Sequence, residues 1–149
     1  MLHNLEFSAD KTGPWTAGAI NTVAFPSLQS ISPNWMNMMA DASTQNAIQY
    51  LPVGLDPTII AGYAAQKLLL VDLLNSENVG AYELLNDNEG LLAVSAMHPF
   101  SRGSVHIQST NPLQQPSIDL CYCSNPLDCQ VLVERFLFNN RLVATQSMQ

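Results

Sequence analysis

The apolar residues of this chain change their spacing twice, and that change fixes which elements it can form. From Pro57 to Leu74, behind an Asp56-Pro57 start signal, Ile59, Ile60, Tyr63, Leu70, Leu73 and Leu74 recur as a helical stripe with no breaker after Gly62. From Ala81 the period becomes 2. Ala81 to Leu85, a turn-forming Asn86-Asp87-Asn88-Glu89-Gly90 and Leu91 to Met97 read as a β-hairpin. After Asn125-Pro126 the helical period returns with Leu127, Val131, Leu132, Phe136, Phe138, Leu142 and Val143. These cover more than one face and predict neighbours on most sides of the helix.

Between the hairpin and the last helix lies His98-Pro99-Phe100-Ser101-Arg102-Gly103-Ser104-Val105-His106-Ile107-Gln108-Ser109, a turn that feeds a strand. Pro99 fixes φ, and Gly103 permits a left-handed or closely packed backbone. Ser104 to Ser109 and Ser117 to Cys123, separated by Asn111-Pro112 and Pro116, extend the hairpin to an antiparallel sheet of about four or more strands. Upstream, residues 11–28 read as an ordered loop ending in a short extended piece. Ser32-Pro33 supplies an N-cap and a first-turn proline for a short helix carrying Trp35, Met38, Met39 and Ala42. The class is α+β, with helices packed on one face of the sheet. Residues 1–149 form one domain, long enough to bury a core without staples.

Charged residues make up only 11% of the chain and hydrophobic ones 47%, so polar cover is thin and apolar surface should meet a partner or ligand. A homodimer is the simplest form of that expectation. The five basic residues are scattered and the net charge is −7, which argues against nucleic acid and anionic membrane. No basic, apolar leader opens the chain and no run approaches 18 apolar residues, so a cytoplasmic protein without a spanning helix is expected. Three cysteines cannot all pair, and Cys121 and Cys123 fall on one face of one predicted strand. Reduced thiols are expected. No histidine flanks them, so no metal site is expected.

The 98–105 segment resembles the His-Pro-x-Ser-Arg-Gly-x-Val signature in the substrate-binding region of glucose-methanol-choline (GMC) oxidoreductases, the flavin-dependent alcohol oxidases and dehydrogenases. Thr12-Gly13-Pro14 with Asn21 and Phe25, Gly62-Tyr63-Ala64-Ala65-Gln66, Ser117-Ile118-Asp119 and Asn125-Pro126-Leu127-Asp128 extend the resemblance over nearly the whole chain. It implies a substrate-binding domain only. The family's Gly-x-Gly-x-x-Gly, where bare backbone meets a pyrophosphate, does not occur in these 149 residues. In relatives the catalytic histidine segments lie beyond the point corresponding to Gln149, so no catalytic residue carries over and no cofactor is expected. His98, before Pro99, is given a structural role.

Candidate site residues follow from the alternation. Ser104, His106 and Gln108 share one strand face, and in relatives one face of this sheet borders the substrate cavity. His106 reads either as a half-exposed strand histidine or, with Tyr122 and Arg102, as a candidate for hydrogen-bonding catalysis, and Asp119 is a candidate substrate contact or ion-pair partner for Arg102. Trp15 reads either as a ring that stacks on a ligand or as a buried loop anchor. Trp35 and Met38 read either as an adaptable ligand wall or as core. A Ser104–His106–Asp119 triad is disfavoured, since its first two members lie two apart on one strand and no oxyanion donor is identifiable. Met1 and the closing helix lead to the expectation of a self-contained chain. That chain acts as a cofactor-independent, non-redox cyclase, pericyclic closure included, on an apolar natural-product intermediate. The alternatives are an inactive fragment of an FAD-dependent alcohol oxidase or dehydrogenase, and a non-catalytic binding protein.

Overall fold

The structure is a computed structural model, and it describes residues 2–16, 18, 20–87 and 92–146. The tip of the expected hairpin, from Asn88 to Leu91, lies outside the described residues. In chain order the elements are α1 (Leu2–Asp10), a 3-10 turn (Pro14–Thr16), β1 (Ile20–Ala24), α2 (Leu28–Ile31), α3 (Trp35–Thr44) and α4 (Pro57–Leu74). Then follow β2 (Tyr82–Asp87), β3 (Leu92–Ala96), β4 (Ser104–His106), β5 (Ser117–Asp119) and α5 (Pro126–Val143). The class is α+β. α3 packs on α4, α2 on α5, and α5 on β3.

The strands form two sheets instead of one. β1, β2 and β3 make an antiparallel three-stranded sheet in that order, while β4 and β5 pair separately. In that ribbon Ser104 faces Asp119, Val105 faces Ile118 and His106 faces Ser117. Both its strands are shorter than expected. Beyond His106 the side chains of Ile107 and Leu113 lie in solvent, so no apolar contact rewards further pairing. At the other strand, Asp119 Oδ1 accepts from Cys121 N (3.1 Å), a turn that Cys121 and Cys123 continue with positive φ of 45° and 57°. This turn also corrects the cysteine expectation. Cys123 is paired with Cys129 in a disulfide, with Cα atoms 5.5 Å apart, and Cys121 alone is free.

α4 begins as expected, with Asp56 Oδ1 accepting from Thr58 N (2.8 Å) and Pro57 in the first turn. Its inner face differs from the expected stripe. Tyr63, Lys67, Leu70, Val71 and Leu74 are buried, whereas Ile59, Leu68, Leu69 and Leu73 face outward. Lys67 interrupts the apolar row, yet it lies inward because its amine donates to Ala42 O at the end of α3. Burial pushes that amine below the usual lysine range. At 18 residues and a mean hydropathy of 1.3, α4 does reach spanning length, contrary to the sequence expectation. Its inner face is folded into the core. α3 starts at Trp35, two residues later than read from Ser32-Pro33. Ser32 instead follows α2, and its hydroxyl accepts from Asn34 N (3.1 Å).

The core gathers Leu28 and Ile31 from α2, Met38, Met39 and Ala42 from α3, and Leu70, Val71 and Leu74 from α4. Ala81, Tyr82 and Leu84, Phe100, and Leu127 and Val131 complete it. Each large side chain so buried contributes roughly 1.5–3 kcal/mol. Met38 is thus core and no ligand wall. α5 shows the clearest departure: its inner row runs Leu127, Asp128, Val131, Arg135, Asn139, and Phe136 is 65% exposed.

Candidate functional site

The central turn is fastened from two sides. Asp128, in the first turn of α5, accepts from Phe100 N and Ser101 N, one on each carboxylate oxygen, both at 2.7 Å. From α4, Tyr63 donates its hydroxyl to Phe100 O (2.8 Å). Burial holds that phenol above the usual tyrosine range, with the Arg102 charge opposing and the Asp128 charge reinforcing the shift. Ser101 Oγ accepts from Asn125 N (3.0 Å), which ties the turn to the α5 cap. Phe100 is consequently sealed in the core while Arg102 emerges on the other side.

Arg102 closes the turn itself. Its Nη1 donates to Pro99 O and Ser101 O, each at 2.7 Å, and its Nε donates to Gln66 Oε1 (3.2 Å) on α4. The guanidinium carbon lies 5.2 Å from the Tyr63 ring centroid. The residues after Arg102 line one cleft with the first half of α4, and Gly103 lets their backbone pack closely on the end of β5 and Leu120. A Cβ on Gly103 would meet Leu120 O at 2.9 Å and Leu120 C at 3.0 Å, both backbone. Close packing is therefore what this glycine permits.

The result is a cleft of about 400 Å³ between the 51–55 loop, α4 and β4. Leu51, Pro52, Leu55 and Ile59 supply apolar walls, and Tyr63 with the polar residues Gln66, Arg102, Ser104 and His106 also lines the cleft. That combination of size, apolar lining and few polar groups is typical of small-molecule sites.

Two of the candidate residues meet here, Arg102 and His106. The others do not. Tyr122 is 82% exposed on the turn after β5 and lines no part of the cleft. Asp119 sits across from Ser104, where its carboxylate accepts from Cys121 N instead of pairing with Arg102. A further hydrogen bond from the Cys121 thiol to Asp119, with the burial and charge that accompany it, raises that thiol's pKa and keeps it protonated at neutral pH. Trp15 is 56% exposed, so it is neither the buried anchor nor a wall of this cleft. Trp35 packs against the core and borders a separate shallow cleft with Arg141. Sequence reasoning missed Tyr63, Gln66 and Asp128 as parts of the site. Asp128 was legible as part of the Asn125-Pro126-Leu127-Asp128 resemblance and as an acid in a first helical turn, which fits a helix dipole as well as any remote partner.

No family model matches the chain. Dehydrogenase xptC of Emericella nidulans is 31% identical over 123 residues, covering 78% of this chain and 20% of that protein. Among solved structures, an FAD-dependent oxidoreductase from Chaetomium thermophilum superposes with a TM-score of 0.87 at 31% identity, over 99% of this chain and 26% of that one. A fungal aryl-alcohol oxidase gives 0.76 at 31% identity, over 93% and 24%. Fold and turn signature together define a domain of the kind these oxidoreductases contain. The chain is a partial GMC-like domain, spanning about a fifth to a quarter of these relatives' length.

Flavin dinucleotide is the cofactor such relatives imply, and the residues present do not fit it. The two long helices that could face a pyrophosphate open with Asp56-Pro57 and Asn125-Pro126, and Asp128 follows in the first turn of α5. Each N-terminus has a proline without an N–H and a carboxylate where phosphate would sit. None of the described glycines stands in such a cradle.

Proposed function

We propose that this chain supplies the substrate-side wall of a flavin-dependent alcohol oxidoreductase, and that the cleft beside Arg102 and His106 holds the apolar body of the alcohol. The observation that carries the reading is the superposition of 99% of the chain on an FAD-dependent oxidoreductase, and this chain has a cleft of about 400 Å³. The name of the second structural relative, an aryl-alcohol oxidase, favours an aromatic alcohol. The outward apolar sides of α4 and α5, among them Leu68, Leu69 and Phe136, suit packing against the remainder of such an enzyme.

A second reading is favoured by one feature: the cleft sets the apolar residues Leu51, Pro52, Leu55 and Ile59 beside the hydrogen-bonding side chains of Arg102 and His106. A cofactor-independent cyclase needs only such a cavity, which folds an apolar substrate and orients it with hydrogen bonds from His106 and Arg102. In that case the outward faces of α4 and α5 pair in a homodimer.

Metabolite profiles of a host with the gene intact and deleted separate the two. Accumulation on deletion of a compound two hydrogens heavier than the lost product supports alcohol oxidation. An isomer of equal mass supports cyclisation, and light scattering that finds a monomer at high concentration counts against the dimer. No change in any apolar metabolite overturns both readings.

A further inference from the structure

The cleft wall carries a positive charge that makes no ion pair with any described residue. All three hydrogen bonds of Arg102 go to neutral oxygens, those of Gln66, Pro99 and Ser101, and none of them uses Nη2. No aspartate or glutamate is among the described residues that line the cleft. The two nearby carboxylates are engaged elsewhere: Asp119 accepts from Cys121 N, and Asp128 accepts from Phe100 N and Ser101 N. In a chain of net charge −7, this single cation beside an apolar slot is a selective feature. The Arg102 Nε contact fixes Gln66 Oε1 as the acceptor, so the Gln66 amide retains its N–H donors.

We propose that the cleft selects an apolar small molecule bearing a carboxylate, held by Arg102 with Gln66 as second donor while the apolar body lies along Leu51, Leu55 and Ile59. This rests on the reading that the cleft binds substrate and deepens it by naming the charged group. A planar guanidinium suits a carboxylate better than an alcohol, because each hydrogen bond is then charge-assisted on both sides.

Calorimetric titration of the chain with 2-naphthoate and with 2-naphthylmethanol, a neutral probe of the same ring system, tests it. Naphthoate is expected to bind about ten- to a hundred-fold more tightly, and raised salt should weaken naphthoate alone. Arg102→Gln should bring the ratio to about one, chiefly by lowering naphthoate affinity. Arg102→Lys, which keeps the charge and is the control should the Gln variant fold poorly, should retain part of the preference. Ile59→Trp, which fills the slot, should abolish binding of both probes. Equal, salt-independent binding of the two probes that Ile59→Trp abolishes overturns the carboxylate assignment and leaves the cleft reading standing. Failure of both probes to bind, or binding that Ile59→Trp leaves untouched, overturns both.

Discussion

Two arginines in this molecule each lie 5.2 Å from a tyrosine ring centroid, and their surroundings are opposite. Arg102, over Tyr63, sits on the cleft wall with its turn and α4 as acceptors. Arg135, over Tyr82, is 0% exposed, and only its Nε finds an acceptor, Val131 O at 3.2 Å. Both of its terminal nitrogens are buried without a hydrogen-bond partner among the described residues. Burial accordingly lowers the Arg135 pKa, with Tyr82 and Asp128 opposing the shift. The difference teaches that the ring contact is incidental. What separates the two arginines is whether carbonyl and amide oxygens are arranged around the guanidinium.

Asp128 is the anion both regions share, since its charge bears on Tyr63 as well as on Arg135. Removing it is the largest perturbation available. Asp128→Ala leaves two turn N–H groups without acceptors and deprives Arg135 of its nearby counter-charge, so a loss of roughly 3–5 kcal/mol is expected in chemical denaturation. Naphthoate affinity should fall with it, because the turn that carries Arg102 is released. A loss under about 1 kcal/mol would show that Phe100 and Ser101 are held by something other than this carboxylate. The neighbouring disulfide is next in size. Cys123 and Cys129 are six apart and clamp the same first turn of α5, so Cys129→Ser should cost about 2 kcal/mol. An equal cost for Cys121→Ser would identify the wrong cysteine as unpaired.

How much of this was legible in sequence depended on distance along the chain. The starts of α4 and α5 rest on Asp56-Pro57 and Asn125-Pro126, where cap and proline act within three residues, and both were readable. The role of Gly103 as a packing glycine was open to the same reasoning. The inner rows of the helices were not, because Lys67, Arg135 and Asn139 occupy positions that an apolar count assigns to solvent. Their burial follows from remote partners or, for Arg135, from the core closing around it. The split of one expected sheet into two has a similar origin. Alternation places residues on a face but does not say which neighbour that face will find, and the short ribbon of β4 and β5 finds solvent. Among the site candidates, Arg102 and His106 meet because they sit in one local segment. Trp15, Trp35 and Met38 were chosen by residue type, and the fold sends each elsewhere.

Neutralising each arginine in turn sharpens the contrast. Arg135→Met replaces a buried group with two orphaned nitrogens by an apolar side chain of similar length. Relief of that burial, the largest influence on Arg135, outweighs the smaller charge contact Asp128 loses, so stability should stay level or rise by up to about 1 kcal/mol. Arg102→Met should instead lose up to about 1 kcal/mol, the typical worth of partly exposed hydrogen bonds. A large loss at Arg135 would mean that its guanidinium holds the core together and would remove the distinction. Tyr63→Phe should cost about 1 kcal/mol through the lost bond to Phe100 O, with thermal melts as the measure.

The smallest effect concerns pH and separates the two regions at their helix ends. α4, which carries the cleft, is capped by the exposed Asp56, and hydrogen bonds from the Thr58 hydroxyl and then the Thr58 N–H hold its carboxyl below the ordinary 3.8. A carboxyl whose pKa is depressed by folding contributes stability that is fully present above 3.8 and is lost as pH falls through its lower folded value. α5 is capped by Asn125, which has no proton to gain in that range. Acidification should therefore loosen the first turn of α4 while the cap of α5 holds. Amide NMR shifts of Thr58 and Leu127, followed from pH 5 downward, are the measurement. Thr58 should titrate with the depressed pKa and Leu127 should show no such step. Asp56→Asn should abolish the Thr58 transition, since the amide still caps but does not ionise. A Thr58 transition that survives in that variant would place the responsible acid elsewhere and detach the acid response from the cleft end of α4.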